Sequence, residues 1–168
     1  MVSPELFHRY PFFAGLSDDQ ITTLGQLAEE RTVAPGHYLF YEGENLPNLY
    51  LVREGRIAIS LNLPDVLSRV LIPPPTARTR EVTVSMLGVG EIFAWSALVQ
   101  PYQATSNARA LTPCHIVAFN APTLRQCFER DTLFGYQILL RVAQVARDRL
   151  QDLHYESMMS VSVAPSGG

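Results

Sequence analysis

Apolar residues recur along this chain with two different periods. Ile21, Leu24, Leu27 and Ala28 fall at three- and four-residue steps behind Ser17, Asp18, Asp19 and Gln20, an N-cap followed by an acidic first turn, so a short amphipathic helix is predicted there. From Arg31 to Phe119 the pattern changes to short alternating runs at Tyr38 to Tyr41, Leu49 to Val52, Arg56 to Leu61, Glu81 to Met86 and Ala108 to Phe119. Runs this short, separated by Gly or Pro, predict a mainly β sandwich or roll. Gly36, Gly43, Gly55 and Gly90 supply the turns. Between Leu63 and Arg80, Pro64 and the triplet Pro73-Pro74-Pro75 predict a protruding, semi-rigid loop, because consecutive prolines cannot donate to a ladder.

The helical period returns after Pro122. Thr123 to Arg130 predicts one short helix, and Leu133 to about Ser157 predicts a long one. In the long helix, Leu139, Val142, Ala146, Leu150 and Leu153 form a narrow stripe like a coiled-coil seam, which predicts a homodimer. Residues 158–168, with Val163-Ala164-Pro165-Ser166-Gly167-Gly168 at their end, have no helical period and are expected to form a disordered tail. The domain is thus expected over 1–157, with the roll at about 31–120 and the C-terminal helices at about 123–157.

Four segments in order resemble one family. They are Pro11 to Gln20, Ala34 to Glu44, Leu49 to Ile59, and the stretch from Gly90 through Phe93, Ala94, Trp95, Ser96, Ala97 and Leu98 to Ala104-Thr105-Ser106 and Ala108 to Leu111. Together they resemble the cyclic nucleotide-binding domains, the effector domains of regulators of the catabolite activator type. The resemblance implies a double-stranded β-helix, or jelly roll, with an N-terminal helix and a long C-terminal helix that pairs protomers and closes over a ligand. It also implies a phosphate-binding cassette in which Phe-Gly-Glu opens a short helix, the Glu holds a ribose hydroxyl, and an Arg some ten residues later pairs with the cyclic phosphate.

Here Ala94 stands at the family Gly, Trp95 at the family Glu, and Ala104 at or beside the family Arg. Exchanging a charge-assisted contact for a neutral hydroxyl weakens binding by about 1–2 kcal/mol, and losing the ribose partner costs about as much again. At roughly tenfold per 1.4 kcal/mol, a micromolar ligand becomes a millimolar one. The candidate ligand-binding residues remain Phe93, Ala94, Trp95, Ser96, Ala97, Leu98, Ala104, Thr105 and Ser106, which offer backbone N–H groups and hydroxyls to a small anionic or nucleotide-like ligand. Trp95 is either a stacking platform or a plug that fills the pocket. Arg109 alternates with Ala108 and Ala110, and strand register decides whether it faces the pocket or solvent.

Composition narrows the function. The 168 residues suffice for one domain, and 47% hydrophobic with 17% charged residues describes a folded globule. A net charge of -3, with every one of the 13 cations an Arg, offers no basic face for nucleic acid, and no second helical module follows the long helix, so no DNA-binding module is expected. No apolar run spans a bilayer and no signal peptide opens the chain, so a cytoplasmic protein without a membrane association is expected. Cys114 and Cys127 read as free thiols. No metal-ligand spacing links His8, His37, His115 and His154, a redox or haem role through Cys114 or His115 lacks a further ligand pattern, and no nucleophile elbow or triad is evident. Neither an enzyme nor a cofactor is expected. Three readings stand: a stand-alone sensor whose cassette no longer grips cyclic AMP, a constitutive interaction module with a Trp-filled pocket and an unidentified protein partner, and a true cyclic nucleotide receptor.

Overall fold

The computed structural model of the protein describes residues 1–64 and 79–162. Two short 3-10 turns, Pro4–Arg9 and Pro11–Phe13, precede helix α1 (Asp18–Leu27). Ser17 caps α1 through a complete capping box, accepting from the Gln20 N–H while the Gln20 side chain accepts from the Ser17 N–H. The strands follow as β1 (Ala28–Val33), β2 (Tyr38–Phe40), β3 (Asn48–Glu54), β4 (Ile57–Pro64), β5 (Thr79–Leu87), β6 (Ile92–Phe93), β7 (Asn107–Ala110) and β8 (Cys114–Asn120). Helices α2 (Ala121–Arg130) and α3 (Thr132–Ser162) close the chain.

The strands form two four-stranded antiparallel sheets, in the orders β1-β8-β3-β6 and β2-β7-β4-β5. Strands β3 and β8 of the first sheet are buried on both faces. Leu49, Leu51, Val117 and Phe119 turn toward the helices, where they join Phe7, Phe13, Leu24, Leu124, Phe134 and Ile138 in one core. Their neighbours Tyr50, Val52, Ile116 and Ala118 turn into the roll, where they meet Phe40, Ile57, Ile59, Phe93, Ala108 and Ala110 in another. A strand buried on both faces reads as an unbroken apolar run, which is why Leu49-Tyr50-Leu51-Val52 lacks polar alternation. In the first core Phe7, Phe13 and Phe119 meet with ring centroids 5.2 to 5.9 Å apart. In the second, Tyr50 stacks on Phe93 at 5.1 Å.

Several boundaries differ from the sequence reading. Ala28 leaves the helical series to begin β1, which among the described strands pairs with β8 alone and exposes Glu29, Glu30, Arg31 and Thr32. Its charged, weakly alternating residues hide it from a periodicity search. The run from Ala108 to Phe119 is two strands, β7 and β8, broken at Leu111 to Pro113. The predicted proline loop starts later than expected, because Leu63 pairs with Arg80 and Pro64 with Thr79. Its remainder, 65–78, lies outside the described residues. Helix α3 continues through 158–162, where a tail was expected, since extending an existing helix is far easier than starting one. Residues 163–168 of that tail lie outside the described residues.

Gly55, at the β3–β4 turn, shows why one turn position admits no other residue. Its φ is +90°, and a Cβ there would lie 2.5 Å from the Pro113 carbonyl oxygen and 2.6 Å from Cys114 Sγ. Gly55→Ala is therefore expected to destabilise the fold by about 1–3 kcal/mol, measured as a fall in the urea midpoint at unchanged slope.

Asp131 joins the two ends of the helical layer. Its carboxylate accepts from Gln20 Nε2 at 2.9 Å and from the Phe134 N–H at 2.9 Å, tying α1 to the first turn of α3. The Gln20 contact first, and the Phe134 N–H second, hold this carboxyl below the ordinary aspartate value. A lowered folded pKa makes a contribution that is present above the unfolded pKa and disappears as pH falls through the folded one. Asp131→Ala should accordingly be less stable than the parent at neutral pH, with the gap narrowing as pH drops below about 4 in urea titrations run across pH.

Candidate functional site

The segment after β6 leaves the roll through a left-handed residue. Ala94 has φ 61° and ψ 31°, and it opens the 3-10 turn Trp95–Leu98. Ala97 and Leu98 point into the cores and are buried, so they support the turn from behind. Two arginines grip this segment and the strand before it by backbone carbonyls. Arg125 of α2 donates to the Ala97 carbonyl at 2.6 Å while its guanidinium lies 3.8 Å from the centre of the Tyr102 ring. Arg149 of α3 donates to the Ile92 carbonyl at 2.8 Å. Downstream, Gln103 bridges to Asn45, and Ala104 exchanges backbone hydrogen bonds with Gly43 and Glu44 at 2.8 Å each. That pairing holds Ala104 inside the roll, 5% exposed.

Between these parts lies an open cavity of about 280 Å³. Phe93, Ala94, Trp95 and Ser96 line it from the cassette, and Ala104, Thr105 and Ser106 from the following segment. Phe40, Leu46, Ile59, Leu61, Val84 and Ser85 complete the roll side. Helix α3 covers the remaining side with Ala146, Arg149, Leu150, Asp152 and Leu153. The volume sits at the small end of the range for ligand pockets, about 300–1,000 Å³. Trp95 is half-buried and packs toward the helical core while lining the cavity, so of the two roles read for it, platform and plug, the fold does not contain the plug.

A family model described as the cyclic nucleotide-binding domain matches residues 30–131, the roll, the cassette and α2. The chain belongs to that family. Among solved structures, it superposes with a TM-score of 0.73 on a Geobacter metallireducens protein provisionally described as cyclic nucleotide-binding, at 31% identity over 89% of this chain and 99% of that one. The N-terminal domain of a transcriptional regulator from Streptomyces coelicolor gives 0.64 at 25% identity, covering 97% and 99%. The CRP-like cAMP-activated global transcriptional regulator of Mycobacterium tuberculosis is 25% identical over 143 residues, 85% of this chain. This chain spans 58% of that relative's length. Among the described helices, none is long and apolar enough to cross a membrane.

Within this cyclic nucleotide-binding domain the fold brings together seven of the nine candidate ligand residues, with Ala97 and Leu98 left behind the cavity wall. Glu91, two residues before Phe93 in sequence, accepts from the Gly88 N–H at 2.6 Å and does not line the cavity. Arg109 also stays out of it: Ala108 and Ala110 take the interior, and Arg109 lies on the outer face, its guanidinium 5.6 Å from the Tyr38 ring centre. Beside it, hydrogen bonds from Ser60 and Tyr38 hold the Glu81 carboxyl below its ordinary value.

The expected dimer seam is divided between three environments. Val142 is buried in the helical core of its own chain, Ala146, Leu150 and Leu153 line the cavity, and Leu139, with much of Leu150 and Leu153, is exposed. Arg149 and Asp152, read from the sequence only as polar positions between seam residues, are cavity residues. Helical spacing carried the signal, since Arg149 and Asp152 flank Leu150 and Leu153 on the same turns. Burial holds the Arg149 pKa below the ordinary arginine value, with Glu91 acting in the opposite direction.

Ala94 occupies a left-handed conformation that costs an L-residue about 1–2 kcal/mol. Part of any gain from Gly is offset by its larger unfolded-state entropy. Ala94→Gly is expected to stabilise the domain by about 0.5–1 kcal/mol, read from urea unfolding.

Proposed function

We propose that this chain is a regulatory module that takes a small ligand in the roll cavity and reports its occupancy through helix α3. The observation that carries this reading is the shared wall. The cassette forms one side of the cavity and α3 the other, and Arg149 joins the two through the Ile92 carbonyl. A ligand that enters must contact the helix that would transmit the signal, so its binding free energy can bias the helix position.

Cyclic nucleotide is a poor fit for this cavity. Trp95 and Ala104 line it where the resemblance implies a ribose-binding carboxylate and a phosphate-binding guanidinium. Cyclic AMP and cyclic GMP are expected to bind no tighter than about millimolar by calorimetry, as follows from losing two charge-assisted contacts. Micromolar or tighter binding of either would instead support a receptor of the kind named for the Mycobacterium tuberculosis relative. An interaction module with a closed pocket is disfavoured by the open cavity.

A further inference from the structure

Arg149 changes the chemistry of the cavity. The walls contributed by Leu46, Ile59, Leu61, Val84, Trp95 and Leu153 are apolar. Among the described lining residues, Arg149 is the cation, and it comes from α3, away from the cassette. A guanidinium carries five N–H donors, and the hydrogen bond to the Ile92 carbonyl uses one of them. Asp152 lies one helical turn on and is exposed, so it sets a negative charge at the α3 side of the opening. That arrangement suits a ligand with one anionic group held at Arg149 and an apolar body within the roll, and it disfavours a polyanion.

Building on the regulatory reading above, we infer that the ligand is a small apolar monoanion, a carboxylate of an aliphatic or aromatic acid, whose anionic group pairs with Arg149. Binding then acts on α3 directly. The carboxylate competes with the Ile92 carbonyl for the guanidinium that fastens α3 to β6, and a bidentate carboxylate pair is the stronger partner. The anion site has moved from the cassette to the helix.

Trp95 is the single tryptophan of the chain and lines the cavity, so its emission reports occupancy without a label. Three probes with one tail separate the terms: octanoate, 1-octanol and octylammonium, titrated against the whole chain and checked by calorimetry. Octanoate is expected to change Trp95 emission saturably and to bind at least about tenfold more tightly than octanol, with octylammonium weakest. Arg149→Gln should reduce octanoate affinity about tenfold or more and leave octanol affinity unchanged. Because that substitution also removes the tie to Ile92, Arg149→Lys, which keeps the charge, should retain a preference for octanoate over octanol. The wild-type comparison of the three head groups needs no variant at all.

Equal binding of octanoate and octanol would overturn the role of Arg149 while leaving a ligand-sensing cavity in place. Micromolar cyclic nucleotide with no response to the octyl series would overturn the apolar monoanion and replace it with a nucleotide. No response to any of these compounds would count against the regulatory reading itself, and against this inference with it.

Discussion

Strands β3 and β8 send alternate side chains into two different cores, and the rest of the molecule is arranged to cover both of them. On one face, the 3-10 turns, α1, α2 and the first half of α3 must cover Leu49, Leu51, Val117 and Phe119. On the other, the second sheet must cover Tyr50, Val52, Ile116 and Ala118. Burying apolar surface is worth roughly 25 cal/mol per Å², so neither cover can be removed without losing a large part of the stability of a domain this size. The N-terminal segment belongs to this layer as much as the helices do. Phe7 and Phe13 lie edge to face on each other and both touch Phe119, and the Val2 N–H donates to the Gly25 carbonyl at 2.9 Å.

The second core does not fill its space. Its interior positions include Ala97, Ala104, Ala108, Ala110 and Ala118, and small side chains on facing strands leave room that larger ones would occupy. Protein interiors otherwise pack as densely as organic crystals, and an unfilled volume sacrifices dispersion contacts. Trp95 could have recovered those contacts by turning inward. It packs against the helical core instead and leaves the cavity open. An opening of this kind, walled by the cassette and capped by a helix, is a feature that packing alone does not require.

Most of the architecture was legible in the sequence because it depends on local signals. Ser17 with Gln20 marked the start of α1, and positive-φ glycines at 36, 43, 55 and 90 marked turns that the fold contains. The family resemblance placed the cassette. What escaped depends on tertiary pairing: β1 exists because β8 offers it an edge, and the extension of β4 and β5 to Pro64 and Thr79 exists because the two strands support each other. The face of Arg109 was undecidable until its register with Ala58 and Tyr38 was known. Arg149 escaped for a different reason. An apolar stripe with charges beside it reads as a dimer seam, and only the packing of α3 against the roll turns those flanking charges toward a cavity.

Helix α3 therefore holds two allegiances along one length. Phe134, Ile138 and Val142 are committed to the helical core, and Gln137 and Arg141 fasten the same portion to the Gly15 and Ala14 carbonyls at 3.1 and 3.2 Å. Beyond Val142 the contacts are of another kind: Ala146, Leu150 and Leu153 face an open volume, and Arg149 holds the Ile92 carbonyl. The two portions differ in how much apolar surface they would expose on moving. Displacing the first opens a packed core, whereas displacing the second breaks the Arg149–Ile92 hydrogen bond and uncovers a cavity that is already open. Motions are drawn from the least stabilised parts of a structure, so the point near Val142 is where a hinge would cost least. The free energy available from a ligand in the cavity then falls on the portion of the helix least able to resist it.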